Sequence, residues 1–356
     1  LCYIVTSREQ AWKMEEIYTS PENMAIGTQV ALMEMISGGT TCATDMYFEY
    51  HAITETARQA NFRLVNGPPF TEIKGLDGKS GPTMEEALEY LDQYKDDPLI
   101  HPCVQTHSTY TAGPDLCEAA RRISESRGVL FITHASESRT EVETVTKRYG
   151  KTPIELLYEY GLLGERTLLA HCVHLRDDEI QLLAETKTSV AHCPSANLKL
   201  ASGIARIADL MRAGVNISIG TDSPACNNDT DMFHEAQLAA LMQKGVTGDP
   251  TVMRAEDVFA MMTINGARAI GMGDQLGSLE GGKLADIAII DFDQPHLIPC
   301  YDLYSHLIYA ANRTDVRHVI INGKLVMEDR DLLTLNAGEI KERMYRLGQA
   351  IRQSSN

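Results

Sequence analysis

Seven short β-branched or apolar runs alternate with helical stretches, and each run ends in a polar or small residue. The runs cover residues 40–44, 62–65, 100–104, 129–133, 167–170, 189–191 and 216–220. Helical patterns fall between them at 24–37, 84–94, 115–126, 152–160, 177–186 and 204–213. Strands joined by helical crossovers lie parallel, with helices covering the sheet. An open doubly wound sheet would carry a Gly-rich phosphate turn after its first strand, and the chain has no G-x-G-x-x-G. A closed (β/α)8 TIM-like barrel is the remaining α/β fold. It uses eight strands, so the count of seven places one further strand ahead of Leu1, in a chain that starts without Met.

From about Asp274 the texture changes. The Gly-rich segment 277–286 leads into apolar runs at 287–291, 316–321 and 324–327, the last two separated by Asn322-Gly323. Asn-Gly between two apolar runs is a strong hairpin signal. The expected organisation is a barrel over residues 1–273 carrying the active site, a small β-sandwich portion over 274–330, and a charged C-terminal helix within 331–356 packing on the barrel.

Charge and cysteine usage exclude other classes. With 32 Lys+Arg against 49 Asp+Glu, the net charge of −17 offers no basic face for nucleic acid or an anionic membrane. No run approaches the ~20 apolar residues of a membrane span, and no signal peptide opens the chain. The eight cysteines contain no C-x-x-C pair, which argues against a zinc ribbon or a thioredoxin-like site. Their scatter fits a cytoplasmic protein in a reducing compartment.

In a β/α barrel the chemistry sits at the C-terminal ends of the strands. Those ends carry His107, His134, His171, His192 and Asp222. One His after a strand is usually a satisfied structural residue. Four on consecutive units, followed by a carboxylate, converge on one mouth if the barrel closes. Neutral imidazoles with one carboxylate suit Zn²⁺ or Fe²⁺ with a position left open for water. Glu137, three residues beyond His134, has the reach of a general acid/base at such a centre. Spacing alone equally allows a helix N-terminal carboxylate. His174 reads as a surface or packing residue, and Asp229 as a helix N-cap.

Two groups of motifs carry a resemblance. The first is Thr133-His134-Ala135-Ser136-Glu137, Ala170-His171-Cys172-Val173-His174-Leu175, Pro194-Ser195-Ala196-Asn197-Leu198-Lys199-Leu200 and Gly220-Thr221-Asp222. The second is Thr263-Ile264-Asn265-Gly266-Ala267-Arg268-Ala269 with the segment 277–286. In order, and over nearly the whole chain, they resemble the amidohydrolase superfamily, in its 5′-methylthioadenosine/S-adenosylhomocysteine deaminase branch and the chlorohydrolase relatives. The resemblance implies one divalent metal ion, Zn²⁺ first and Fe²⁺ second, held by His134, Asp222 and a His-x-His pair. It also implies Glu137 as proton shuttle, His171 as the group that orients the attacking water, and His107 and Glu15 as substrate contacts, Glu15 on the ribose hydroxyls. The reaction implied is hydrolytic deamination at C6 of an adenine nucleoside, with release of ammonia. A homo-oligomer is common in the superfamily, and no residue here fixes an interface.

The chain departs from that pattern twice. No two of its histidines are two apart, so the His-x-His pair is absent, which agrees with a first strand expected before Leu1. Where relatives that accept a homocysteine tail place arginines, the matching positions hold Asn66 and Thr83. A substrate carboxylate without a bidentate arginine is poorly paired, so methylthioadenosine, 5′-deoxyadenosine or adenosine is expected over S-adenosylhomocysteine. The alternatives are hydrolysis of another aromatic C–N or C–Cl bond, of guanine or triazine type, and a metal-free barrel acting as a scaffold.

Overall fold

The computed structural model describes residues 18–72 and 81–354. Its parallel strands follow the alternation in the sequence. They are β1 (Cys42–Thr44), β2 (Arg63–Asn66), β3 (Pro69–Phe70), β4 (Ile100–Pro102), β5 (Val104–Ser108), β6 (Phe131–Ala135), β7 (Thr167–His171), β8 (Ser189–His192) and β9 (Ile217–Ile219). Two expected strands are each split by a kink, β2 from β3 and β4 from β5. Gly67 sits at the first kink, where a Cβ would collide with the Cys103 carbonyl, and only glycine lets the strands approach this closely. The kink is closed by the Cys103 amide donating to the Asn66 carbonyl at 2.9 Å. The pairings β1-β2-β4 and β3-β5-β6-β7-β8-β9 therefore run on as one parallel array of seven barrel strands, matching the seven runs. Among the described residues β9 and β1 are not paired with each other.

Helices pack outside this array, and their ends are set by local chemistry. Met84–Tyr94 begins with a reciprocal capping box between Thr83 and Glu86, and Pro153–Glu159 with one between Thr152 and Glu155. The helix Arg139–Tyr149 has no counterpart among the helical patterns of the sequence. Only Glu141 and Val145 are buried along it, so no apolar stripe announced it. Asp229 is not the N-cap expected of it: Asp231 caps Met232–Thr247 by accepting from the Phe233 and His234 amides, while Asp229 accepts from the Asp231 amide one turn earlier.

The C-terminal part forms an antiparallel sheet of β10 (Ile287–Ile290), β11 (Val316–Ile321), β12 (Lys324–Glu328) and β13 (Asp331–Leu332). Asn322 and Gly323 turn β11 into β12 with φ of 51° and 74°, the double positive φ of a type I′ turn. This sheet shares a core with the barrel: Val319, Ile321 and Val326 cluster with Leu32, Ile36 and Phe62. A buried ion pair crosses the same junction. Arg63 on β2 donates to both Asp286 oxygens at 2.7 and 2.9 Å, and the Asn322 amide donates to Asp286 at 2.8 Å. The terminal helix Ala337–Ser354 packs on the helix Pro21–Ser37.

Candidate active site

The ends of β5, β6 and β7 bring three imidazoles into one row. The His107 and His134 ring centroids are 5.2 Å apart, and His134 and His171 stack at 5.4 Å with 24° between their planes. His134 Nδ1–H donates to the His107 carbonyl at 2.7 Å, which turns Nε2 toward the site as an acceptor. Asp222, just past β9, places Oδ2 4.0 Å from His171 Nε2. The His171 Nδ1 lies 2.8 Å from Asn197 Oδ1. His107 Nδ1 pairs with the Thr111 hydroxyl at 2.7 Å.

Glu137 is buried at the end of the turn after β6, and the Ser202 hydroxyl donates to its Oε1 at 3.3 Å. That turn is held by the carboxylate of Glu141, which accepts the Ser136 amide at 3.1 Å and the Glu137 amide at 2.7 Å. Four non-glycine residues of these strand ends are left-handed: Ser136 at φ 50°, His171 at 74°, Cys172 at 47° and Asp222 at 59°. Strained backbone of this kind persists only where surrounding bonds over-determine it. Here the Cys172 amide donates to the Ala135 carbonyl, and the Val173 and His174 amides to the Ser136 carbonyl. Asp222 is secured in the same way, since the Ser223 amide donates to its Oδ1 at 2.6 Å. Asn227 ties the Thr221 carbonyl to the buried Glu235.

Electrostatics favours neutral imidazole at the centre. Burial, and then the neighbouring His171, hold the His134 pKa below its ordinary value, against the opposing pull of Asp222, the His107 carbonyl and Glu137. Burial raises Glu141 to about 7 despite the two amides it accepts. A cavity of about 1910 Å³ opens onto the site, its wall including His134, His171, Asp222 and Asp45.

The structure thus brings together His107, His134, His171, Asp222 and Glu137. His192 is not among the residues that line the cavity: it is fully buried, neither ring nitrogen has a hydrogen-bond partner among the described residues, and burial pushes it down to about 3. Glu15 lies outside the described residues. Asn66 spends its amide on the Tyr50 carbonyl, the Thr54 hydroxyl and the Gly67 amide, and Thr83 caps a helix at the surface. His174, expected to pack or face solvent, donates through Nε2 to the Ser202 carbonyl at 2.7 Å. Among the described residues no three His, Cys, Asp or Glu side chains complete a metal-holding group.

Comparison with known proteins adds what geometry alone leaves open. The Amidohydrolase family model matches residues 4–326. A 5-methylthioadenosine/S-adenosylhomocysteine deaminase of Syntrophobacter fumaroxidans is 44% identical over 330 residues, covering 92% of this chain and 75% of the relative. The chain belongs to the amidohydrolase family. The same-named deaminase of Moorella thermoacetica is 41% identical to this amidohydrolase over 336 residues, 93% of this chain and 77% of the relative. Among solved structures, an adenosine deaminase from Xanthomonas campestris with bound zinc superposes with TM-score 0.94 at 35% identity, covering 99% of this chain and 81% of that one. An atrazine chlorohydrolase from Arthrobacter aurescens, complexed with zinc, shares the fold at TM-score 0.87 and 22% identity over 95% of this chain and 81% of that one.

This amidohydrolase also recruits residues to which the sequence reading gave no role: Glu141, Asn197, Ser202 and Glu235. Asn197 stood inside a motif that carried the resemblance. Glu141 lies four residues beyond Glu137, the spacing at which a first-turn carboxylate folds back on the preceding turn. Ser202 and Glu235 had no signal, since neither adjoins a strand end.

Proposed function

We propose that this amidohydrolase hydrolytically deaminates an adenine nucleoside. The observation that carries the reading is the convergence of His134, His171, Asp222 and Glu137 at adjoining strand ends, in a chain 44% identical to a named deaminase of such nucleosides.

His134 and Asp222 are two of the donors that a divalent ion takes, and their chemistry suits one. His134 is neutral with its Nδ1 committed to a carbonyl, the arrangement that orients a metal-ligating imidazole, and Asp222 adds one hard anionic oxygen. His134 and Asp222 would hold it, with Zn²⁺ preferred over Fe²⁺ because the 35% identical neighbour carries zinc. When bound, the ion supplies a charge that lowers the pKa of water from about 15.7 toward 7.

The remaining work belongs to side chains of this chain. Glu137 accepts the proton of the attacking water and delivers it to ring N1, which makes C6 electrophilic. Its burial and its bond from Ser202 keep the carboxylate at one place for both transfers. His171 and Asp222, 4.0 Å apart, orient the water toward C6. The proton of the new C6 hydroxyl then moves to the amino group, the C6–N bond breaks, and ammonia leaves behind the 6-oxo product. His107 contacts the base, and Glu15 binds the ribose hydroxyls. The barrel assigned to residues 1–273 carries this chemistry, with 274–330 and 331–356 as its flanking sandwich portion and helix. The free thiols of the described cysteines favour a cytoplasmic home.

Asn66 and Thr83 stand where relatives that accept a homocysteine tail place arginines, and, committed to the protein's own hydrogen bonds, they bring no cation to a carboxylate. A neutral 5′ substituent is therefore preferred. Ammonia release from adenosine, methylthioadenosine and S-adenosylhomocysteine by zinc-supplemented protein of natural length tests both points. Turnover of the first two with kcat/KM well above that of the third is expected. Equal values for all three would refute the preference, and no turnover of any would refute the deaminase reading.

A further inference from the structure

We infer that the loop from Asn197 to Gly203 is a positioning device that serves two reacting side chains at once. Asn197 fixes the tautomer of His171, and Ser202 fixes Glu137. The inference rests on the deaminase reading for its kinetic consequence, but its structural half stands apart from it.

Asn197 lies in the short helix Pro194–Lys199 and is almost wholly buried. Its amide oxygen is 2.8 Å from His171 Nδ1, while its Nδ2 has no partner among the described residues. An amide oxygen only accepts, so Nδ1 of His171 carries the hydrogen and the lone pair of the neutral ring stands at Nε2. That is the nitrogen facing Asp222. A buried amide with one orphaned end is a poor structural element, because the unpaired donor was desolvated for nothing. Its one hydrogen bond goes to a reacting histidine.

The same loop then reaches the second group. Its backbone closes on itself, the Ser202 and Gly203 amides donating to the Asn197 carbonyl at 2.8 and 3.3 Å. That closure sets Ser202, whose hydroxyl donates to Glu137 and whose carbonyl accepts from His174, three residues past His171. Gly203 holds φ at 129°, and a Cβ there would press on Val173 at 3.1 Å, so the turn admits no side chain without shifting. The loop after β8 therefore spans the ends of β6 and β7, and it couples the water-orienting histidine to the proton-shuttling glutamate. The side-chain bonds predict a division of labour: Asn197 sets which face of His171 accepts, and Ser202 sets where the Glu137 carboxylate points.

The test uses full-length protein with ¹⁵N-labelled histidine. Two-bond ¹⁵N–¹H correlation spectra report the tautomer of each neutral imidazole, and His171 is assigned by its absence in a His171→Asn variant. The expected wild-type form carries hydrogen on Nδ1. Asn197→Leu, similar in volume but without an acceptor, should shift His171 toward the Nε2–H form. Asn197→Asp, which keeps an acceptor oxygen and puts a charged second oxygen in place of the unpartnered NH₂, should retain Nδ1–H. With adenosine, Asn197→Leu and Ser202→Ala should each lower kcat by about 10–100-fold with KM changed less than threefold, and Asn197→Asp should recover most of the Asn197 loss.

An Nε2–H wild-type tautomer would overturn the inference even if Asn197→Leu fails to fold. So would a folded Asn197→Leu whose His171 tautomer and kcat match the wild type. If the wild type turns over no adenine nucleoside, the deaminase reading fails, while the tautomer still decides the role of Asn197.

Discussion

Glu137 and His192 are both buried at strand ends, and they differ in what surrounds them. Glu137 has a hydroxyl on one oxygen and a backbone held by Glu141, so its carboxylate is fixed in place, as the proton shuttle proposed for it requires. Replacing it with Gln keeps the shape and removes the base. Activity on adenosine should fall by about 10²–10⁴-fold, measured as ammonia release, and a variant keeping more than half the wild-type rate would exclude the role. Among the described residues His192 has no partner on either nitrogen, and burial pushes its pKa down to about 3 from the ordinary imidazole value of 6.5. The folded state therefore keeps it neutral while the unfolded chain binds a proton below about 6.5, so its contribution is full above that pH and is lost as pH falls. Between these values each such histidine makes stability fall by about 1.4 kcal/mol per pH unit of acidification. His101, pushed down to about 4 by burial and then by Arg63, adds in the same direction. Urea unfolding from pH 7 to 4 should show a shallower decline for His192→Leu than for the wild type, and parallel curves would show that His192 does not titrate this way.

At the scale of elements, the junction between β2 and the antiparallel sheet depends on one guanidinium. Arg63 is wholly buried, and it donates to Asp286, to the Pro98 carbonyl and toward Asn322. Arg63→Met leaves the Asp286 carboxylate buried with only the Asn322 amide and should cost about 3–5 kcal/mol in urea unfolding. The double variant Arg63→Met/Asp286→Leu should recover part of that loss, since no charge is then stranded. Additive losses would show that the pair is not coupled. This junction also marks where the sequence stopped being informative. The seven barrel runs and the Asn322-Gly323 hairpin were legible because short β-branched or apolar runs and a dipeptide demanding positive φ are local properties. The strand-end residues were legible because a run that stops just before His134 or His171 fixes where that side chain must emerge. The kink at Gly67 and the bond from Asn197 to His171 depend on residues tens of positions apart. The helix Arg139–Tyr149 has almost no apolar face to betray it. Asp231 displaced Asp229 as cap because both spacings are chemically sound and only the start of the helix at Met232 chooses.

Across the whole molecule, the contacts between barrel and antiparallel sheet are of the kind found inside one core rather than between two bodies. Leu32, Ile36 and Phe62 share a buried cluster with Val319, Ile321 and Val326. Asn61 donates to the Ile321 carbonyl at 2.9 Å, and Arg313 donates to Glu34 at 2.7 Å. Removing either layer would expose apolar surface on the other at roughly 25 cal/mol per Å², and it would strand the Arg63–Asp286 pair as well. Neither layer is then stable without its neighbour, and the chain should unfold as a unit even though chains above about 150 residues commonly populate intermediates. Thermal melts followed by far-UV circular dichroism, which weighs the barrel helices, and by the amide infrared band peculiar to antiparallel strands, which reports β10–β13, should give coincident midpoints. Arg63→Met should lower both midpoints together. A variant whose antiparallel infrared band melts first, with the helical signal unchanged, would show that the antiparallel sheet is an independent body, and the shared core would then be a contact surface rather than a source of cooperativity.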